Sequence, residues 1–215
     1  GMYMLDDKKI KELRENYNKN DKNKIKHRIF NKVPLVDLVT DNDTNINMNF
    51  SLEIKTHKIT DQNSSGRCWA FAGLNILREK IIEKCNLDNF TLSGSYIAFY
   101  DKLERFNCLM ERLIQYKNDG KDLYDRYVDK VLQNGIADGG YYIQFANLVK
   151  KYGVVPSDVY PESFQSNNTY EINLILSRLL KKFYIDLENS DDVVKLKDNY
   201  LSKVYNLLSD LYGNI

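Results

Sequence analysis

Apolar residues recur at helical spacing along most of the chain, and this pattern predicts a mostly helical protein. The predicted helices cover 5–20, 68–84, 93–117 (one or two helices), 124–135, 170–187 and 191–213, and the segment 137–153 is predicted to be a glycine loop followed by a helix that ends at Gly153. The segment 5–20 is strongly charged, so we expect an exposed helix there. The segment 68–84 carries apolar residues on more than one face, so we expect a central and largely buried helix.

Several helix ends carry recognisable capping residues. Gly135 and Gly153 follow apolar-periodic segments, where glycine commonly ends a helix. Ser190 precedes the last segment and is predicted to cap its N-terminus, with acidic residues in the first turn. The two C-terminal helices are predicted to pair as a helical hairpin.

Two segments before the helix at 68–84 lack helical spacing. The segment 37–49 is rich in Asn, Asp and Thr and is predicted to be a loop. The segment 49–59 alternates partly and contains β-forming residues, which suggests a short strand or an extended arm.

Composition narrows the class of protein. The 31 basic and 30 acidic residues nearly cancel, so the net charge of +1 gives no argument for binding nucleic acid or membranes. No apolar stretch approaches the roughly 20 residues that cross a bilayer. Cys68, Cys85 and Cys108 are too few and too widely spaced for a disulfide framework or a zinc site. We therefore expect a cytoplasmic protein without a metal or organic cofactor.

Cys68 is the candidate nucleophile. Ser64 and Ser65 can cap the following helix, which places Cys68 in the first turn, where the helix dipole favours a thiolate. Gly66 lets the backbone turn tightly just before it. The alternative is that Cys68 is a small buried apolar residue, as free cysteines usually are. Its sequence surroundings favour the nucleophile.

Gln62, six residues before Cys68, is the candidate oxyanion donor. Its loop can fold back so that the side-chain amide points at the same place as the Cys68 backbone N–H. Two such donors stabilise the tetrahedral intermediate of acyl transfer, and losing one typically raises the barrier by about 3 kcal/mol.

The run QNSSGRCWAF (62–71) resembles the nucleophile segment of papain-like cysteine peptidases. The longer ITDQNSSGRCWAFAGLN (59–75) is similar to the bleomycin hydrolase and aminopeptidase C branch, and the likeness continues through 90–105, 138–156 and the helical tail. Secreted relatives carry a disulfide cysteine where this chain has Ser65, which fits an intracellular protein. One departure is Gly94, where this branch usually has Gln; the change could loosen packing at a helix start.

The resemblance implies an α+β papain-like fold, of which this chain is the mostly helical N-terminal half with few short strands. The implied parts are an N-terminal arm and helix (1–60), a helical subdomain with the nucleophile helix (61–165) and a helical hairpin extension (166–215). The resemblance also implies an intracellular aminopeptidase that works through a thioester acyl-enzyme. The resemblance further implies assembly into a homo-hexamer with inward-facing active sites.

The resemblance assigns roles to particular residues. Cys68 is the nucleophile and Gln62 the oxyanion donor. Asp138, Gly139 and Gly140 resemble the glycine strip whose backbone hydrogen-bonds the main chain of a peptide substrate. Glycine suits that role because it lets substrate backbone lie flat against enzyme backbone. From the residues alone, a simple loop before a helix is the alternative.

The catalytic base is the missing element. The chain has two histidines, His27 and His57, and neither occupies the position that the resemblance implies. In papain-like proteins the histidine and its orienting Asn come from the second, β-rich half, and we expect Ile215 to precede that half. The chain would then be a truncated gene product, a deliberately shortened chain or one member of a split pair. Alone it should hydrolyse peptides very poorly.

A second hypothesis is a catalytically dead helical module in which the hairpin 170–213 mediates assembly. The apolar stripe of that hairpin could equally be intramolecular core, which is the commoner case. Nucleic-acid binding is attributed to some relatives, but the balanced charge gives it no independent support.

Overall fold

The computed structural model describes residues 4–20, 23, 68–85, 90–136 and 142–215, with the side chains of 68, 69, 142 and 143 excepted. The predicted loop at 37–49 and strand at 49–59 lie outside these ranges. Within them the chain forms seven helices. They are α1 (Asp7–Lys19), α2 (Cys68–Cys85), α3 (Gly94–Asn118), α4 (Arg126–Asn134), α5 (Tyr142–Tyr152), α6 (Thr169–Glu188) and α7 (Val193–Tyr212).

The centre of the fold is α3, a single helix of 25 residues. Its N-terminus is capped by Ser93, whose side chain accepts a hydrogen bond from the backbone N–H of Tyr96 at 3.1 Å. It contacts α2, α4, α5, α6 and α7. Its buried apolar residues are Ile97, Ala98, Phe99, Tyr100, Leu103, Phe106, Met110 and Leu113. Because α3 has neighbours on every side, its apolar residues are buried over more than one face.

The C-terminal helices α6 and α7 pack against each other and against α3, which confirms the predicted hairpin. Their apolar faces are buried in the same core as α3. The apolar stripe of the hairpin is therefore intramolecular core. The cap of α7 is Asp192, which accepts from the Lys195 backbone N–H at 3.0 Å. The prediction that Ser190 is the cap is wrong. Its hydroxyl accepts from the backbone N–H of Asp192, which lies just before the first residue of the helix.

The N-terminal helix α1 is only partly exposed. Ile10, Leu13 and Tyr17 are buried because they face α7, and the Tyr17 hydroxyl donates to Asp210 Oδ1 at 2.8 Å. The prediction of an exposed helix therefore holds for its charged face and is wrong for its apolar one. The prediction followed the many charged residues of this segment. Three apolar residues at helical spacing are nevertheless enough to pack it against the core.

The nucleophile helix α2 is not the buried centre that its sequence predicts. It packs against α3 and α5, which bury Ala70, Gly73 and Leu74. Phe71 and Ile76 are exposed, Ile76 by 51%. The expectation of a largely buried helix is wrong for the described residues, because α3 occupies the central position instead.

Extended structure is sparse in the described part of the chain. It contains an isolated antiparallel bridge between Leu92 and Pro156 and no strand, whereas few short strands were expected. The glycine ends are confirmed: Gly135 and Gly153 follow α4 and α5 with positive φ angles of 53° and 76°. No helix in these ranges is long and apolar enough to cross a membrane. The predicted domain boundaries at 60/61 and 165/166 stay predictions.

Candidate nucleophile site

Cys68 is the first residue of α2, so it lies in the first turn, as its spacing from Ser64 and Ser65 predicts. The backbone N–H groups of a first turn have no partner within the helix and carry a partial positive charge. The first turn of α2 contains no acidic residue that would oppose a thiolate. The backbone position of Cys68 therefore favours the ionised thiol.

The other predicted site residues lie outside the described residues. These are Gln62 and the segment Asp138-Gly139-Gly140, together with His27 and His57. The roles of Gln62, Asp138, Gly139 and Gly140 stay predictions, as does that of the Cys68 sulfur.

The structure brings together the helices that adjoin the predicted site. Helix α5 begins at Tyr142, two residues after Gly140, and packs directly against α2. Phe145, in the first turn of α5, is 3% exposed. The helix that follows the Gly139-Gly140 segment is thus packed on the helix that begins with Cys68.

The contact between α2 and α5 depends on Gly73. A Cβ atom at Gly73 would lie 2.4 Å from Phe145 Cε1, closer than carbon atoms can approach. The sequence itself carries a signal of this contact. A glycine inside a helix costs about 1 kcal/mol relative to alanine, so it often marks a close approach.

The other end of α5 is fixed to α3 by a polar cluster around Glu104. One carboxylate oxygen of Glu104 accepts from Lys151 Nζ at 2.8 Å and from the Tyr152 hydroxyl, while the other accepts from the Leu5 backbone N–H at 3.1 Å. The Tyr152 ring stacks on Tyr100 with 3.8 Å between centroids. Burial and the Glu104 carboxylate raise the pKa of Tyr152. Both ends of α5 are therefore held in place.

An open pocket of about 350 Å³ lies along α2. Phe71, one turn after Cys68, lines it together with Asn75 and Arg78 further along the same helix. Gly94, the first residue of α3, also lines this pocket. The departure at Gly94 thus falls at the lining of this pocket. The mixed lining can accept a partly apolar group next to the nucleophile helix.

Other chemistry-bearing side chains are scattered. Cys85 is exposed and Cys108 is partly buried, and both are free thiols. No group of three or more His, Cys, Asp or Glu residues in the described ranges could hold a metal ion.

Comparison with known proteins identifies the family. A model of the Peptidase C1-like family matches residues 4–214. Because the match covers nearly the whole chain, the chain belongs to the Peptidase C1-like family. The similarity to the aminopeptidase C branch is confirmed by relatives with that name.

Aminopeptidase C from Listeria monocytogenes is 36% identical over 163 residues, which is 74% of this chain and 36% of the relative. Aminopeptidase E from Lactobacillus helveticus is 34% identical over 213 residues, which is 95% of this chain and 48% of the relative. The crystal structure of PepW from Lactobacillus rhamnosis superposes with a TM-score of 0.66 at 34% identity, covering 71% of this chain and 35% of PepW. The chain therefore spans less than half the length of these relatives.

Proposed function

We propose that this chain supplies the nucleophile of a papain-like cysteine aminopeptidase. The observation that carries the proposal is the start of α2 at Cys68 in a chain that matches the Peptidase C1-like family from residue 4 to residue 214. The names of its relatives, aminopeptidases C and E, support peptides with a free N-terminus as substrates. Free thiols at Cys85 and Cys108 suit the reducing cytosol.

In the proposed mechanism, a base takes the proton of the Cys68 thiol and the thiolate attacks the carbonyl carbon of the peptide bond. The oxyanion is held by the Gln62 amide and the Cys68 backbone N–H. The amine product leaves with a proton from the base, which leaves a thioester on Cys68 that water hydrolyses. Asp138, Gly139 and Gly140 hold the main chain of the substrate.

The proposal places the base and its orienting Asn outside these 215 residues. Neither His27 nor His57 occupies the position that the family resemblance implies. A histidine from another segment or another chain would have to approach the N-terminal end of α2. Assembly into a homo-oligomer is part of the same proposal and rests on the resemblance alone.

The alternative of an assembly module is not favoured. It depends on an available apolar stripe along the C-terminal hairpin, and α6 and α7 bury that stripe against α3.

The test compares two thiols on one helix, because Cys68 and Cys85 are the first and last residues of α2. We expect neutral iodoacetamide to alkylate Cys68 about two- to fivefold faster than Cys85 at neutral pH, since the dipole favours a thiolate at the N-terminus. Rates are measured by peptide mass spectrometry between about pH 5 and about pH 9, which brackets an ordinary thiol pKa.

Two outcomes would contradict the proposal in different ways. A Cys68 rate no higher than that of Cys85 would count against the nucleophile. Fast alkylation of Cys68 that persists well below neutral pH would reveal a cationic partner within the chain and overturn the external base. Peptide hydrolysis by the chain alone, abolished by Cys68→Ala, would do the same.

A further inference from the structure

We propose that the pocket between α3 and α4 binds a small organic anion, a phosphate monoester on an aromatic or apolar body. This α3–α4 pocket has a volume of about 230 Å³. Its lining residues are Leu109, Arg112, Tyr116, Tyr127, Lys130, Val131, Asn134 and Gly135. The site is independent of the proposed function, because none of these residues belongs to the peptidase chemistry.

The two helices hold the shape of the α3–α4 pocket. The lining residues recur every three to four positions along α3, and the same is true of α4, so each set lies on one face of its helix. At the start of α4, the Asp125 side chain accepts from the Tyr127 N–H at 2.8 Å. Just after its end, the Ile136 N–H donates to Ser177 Oγ of α6 at 2.9 Å. Both ends of α4 are therefore held without a ligand.

The charged residues of the lining are both cationic. Arg112 on α3 and Lys130 on α4 line the pocket from opposite helices. Neither forms an ion pair with another residue in the described part of the chain. Two cations beside one pocket repel each other, and an anion between them is attracted by both. A cleft lined by charges of one sign also concentrates ions of the opposite sign.

The acidic residues that precede these two cations in the sequence have other partners. The carboxylate of Glu111 pairs with Lys197 of α7. Asp129 accepts a hydrogen bond at 3.2 Å from Gln133, one turn further along α4. Neither acidic residue is part of the lining. An anion from outside the chain is therefore the missing counter-charge.

The rest of the lining suits the body of such a ligand. The rings of Tyr116 and Tyr127 lie with their centroids 6.2 Å apart, and Leu109 and Val131 add aliphatic surface. The Arg126 guanidinium donates to the Tyr127 hydroxyl at 3.2 Å, which helps to fix that ring. An aromatic body beside these rings gains both apolar contact and ring–ring attraction.

The charge and the donors of the lining favour a phosphate monoester as the head group. A phosphate monoester carries a charge of about −1.5 to −2 near neutral pH and offers three acceptor oxygens. Those oxygens match the Arg112 fork, the Lys130 ammonium and the Asn134 amide, and a guanidinium fits phosphate geometry well. A carboxylate carries a single charge, so it should bind more weakly.

The experiment titrates the full 215-residue chain with phenyl phosphate and follows the amide signals of the protein by NMR. We expect saturable shifts centred on the α3–α4 pocket, with a Kd of about 1 mM for a ligand of this size. Benzoate, with one charge, should bind about threefold more weakly. Methyl phosphate, without the ring, should bind about threefold to tenfold more weakly. Benzylamine, with the ring and a positive charge, should not bind.

Variants locate the site. Arg112→Gln and Lys130→Gln should each raise the Kd for phenyl phosphate about threefold to fivefold. Both side chains are exposed, so the fold should be retained, as checked by circular dichroism. Lys8→Gln makes the same change of charge at an exposed lysine of α1 and should leave the Kd unchanged. Tyr127→Leu should remove most of the difference between phenyl phosphate and methyl phosphate.

Several results would overturn the proposal. Shifts that do not saturate by about 20 mM ligand, or that benzylamine reproduces, would remove the site. An unchanged Kd in folded Arg112→Gln and Lys130→Gln would do the same, as would an equal rise of the Kd in Lys8→Gln. Benzoate that binds as tightly as phenyl phosphate would overturn the assignment of a phosphate monoester.

Discussion

Two regions of the molecule differ in how they are held. In the hairpin region, made of α3, α6 and α7, large apolar side chains are fully enclosed, as Phe99 and Phe106 show. In the nucleophile region, made of α2 and α5, few side chains of α2 are buried, and its apolar residues Phe71 and Ile76 are exposed. The fold is therefore stabilised mainly in the first region, while the predicted chemistry lies in the second. Functional elements are commonly drawn from the less stable parts of a fold.

The largest expected effect is that of alkaline pH on the hairpin region. Burial raises the pKa of Tyr100, Tyr200 and Tyr205 in this region above the ordinary value of 10.0, whereas the nucleophile region has one tyrosine with a raised pKa among its described side chains, Tyr152. The unfolded chain loses these protons near pH 10 and the folded chain keeps them. The free energy of unfolding should therefore be unaffected by these tyrosines well below pH 10 and fall steeply above it.

The measurement is urea unfolding between about pH 8 and about pH 11.5, together with tyrosinate absorbance. Tyr200→Phe should reduce the slope above pH 10 by at most about 1.4 kcal/mol per pH unit, since it removes one such proton. If all 16 tyrosines titrate near pH 10 while the chain stays folded, the enclosed core described above is contradicted.

The next effect compares one phenylalanine from each region. Phe99→Ala leaves a cavity in the hairpin region and should lower the free energy of unfolding by about 3–5 kcal/mol. Phe71→Ala, at a site that is 36% exposed, should cost about 1 kcal/mol or less. Urea denaturation of both variants at neutral pH measures the difference. Similar losses would show that Phe71 is enclosed as firmly as the core, and the contrast between the regions would fail.

The contrast also explains what the sequence could predict of the fold. Helix ends follow from local chemistry, so Gly135 and Gly153 could be assigned as helix ends. The choice of central helix could not be made in this way. Within α3, Lys102 and Glu104 are buried, and Glu104 is satisfied by Leu5 and Lys151 from distant parts of the sequence. A pattern of polar and apolar residues does not contain those partners.

In the candidate site, too, local features could be predicted from the sequence and contacts between distant segments could not. The place of Cys68 in the first turn could be predicted because it depends on a few adjacent residues. The packing of Phe145 on Gly73 joins two helices far apart in the sequence, so the glycine alone indicated a close approach without naming its partner. The predicted role of Gly139 came from the resemblance to a family, because a glycine before a helix leaves that role open by itself.

The smallest effect tests how α7 begins. Asp192→Ala removes the acceptor of the Lys195 N–H and should cost about 1 kcal/mol of unfolding free energy. Ser190→Ala is the matched control and should cost about half of that or less, because its hydroxyl accepts outside the helix, from the Asp192 N–H. Asp192→Asn keeps the acceptor and loses the charge, so it should cost only a few tenths of a kcal/mol. The buried face of α7 should hold the helix in place whichever residue caps it. If Asp192→Ala lowered the free energy of unfolding by several kcal/mol, the stability of the hairpin would depend more on its helix ends than on its core.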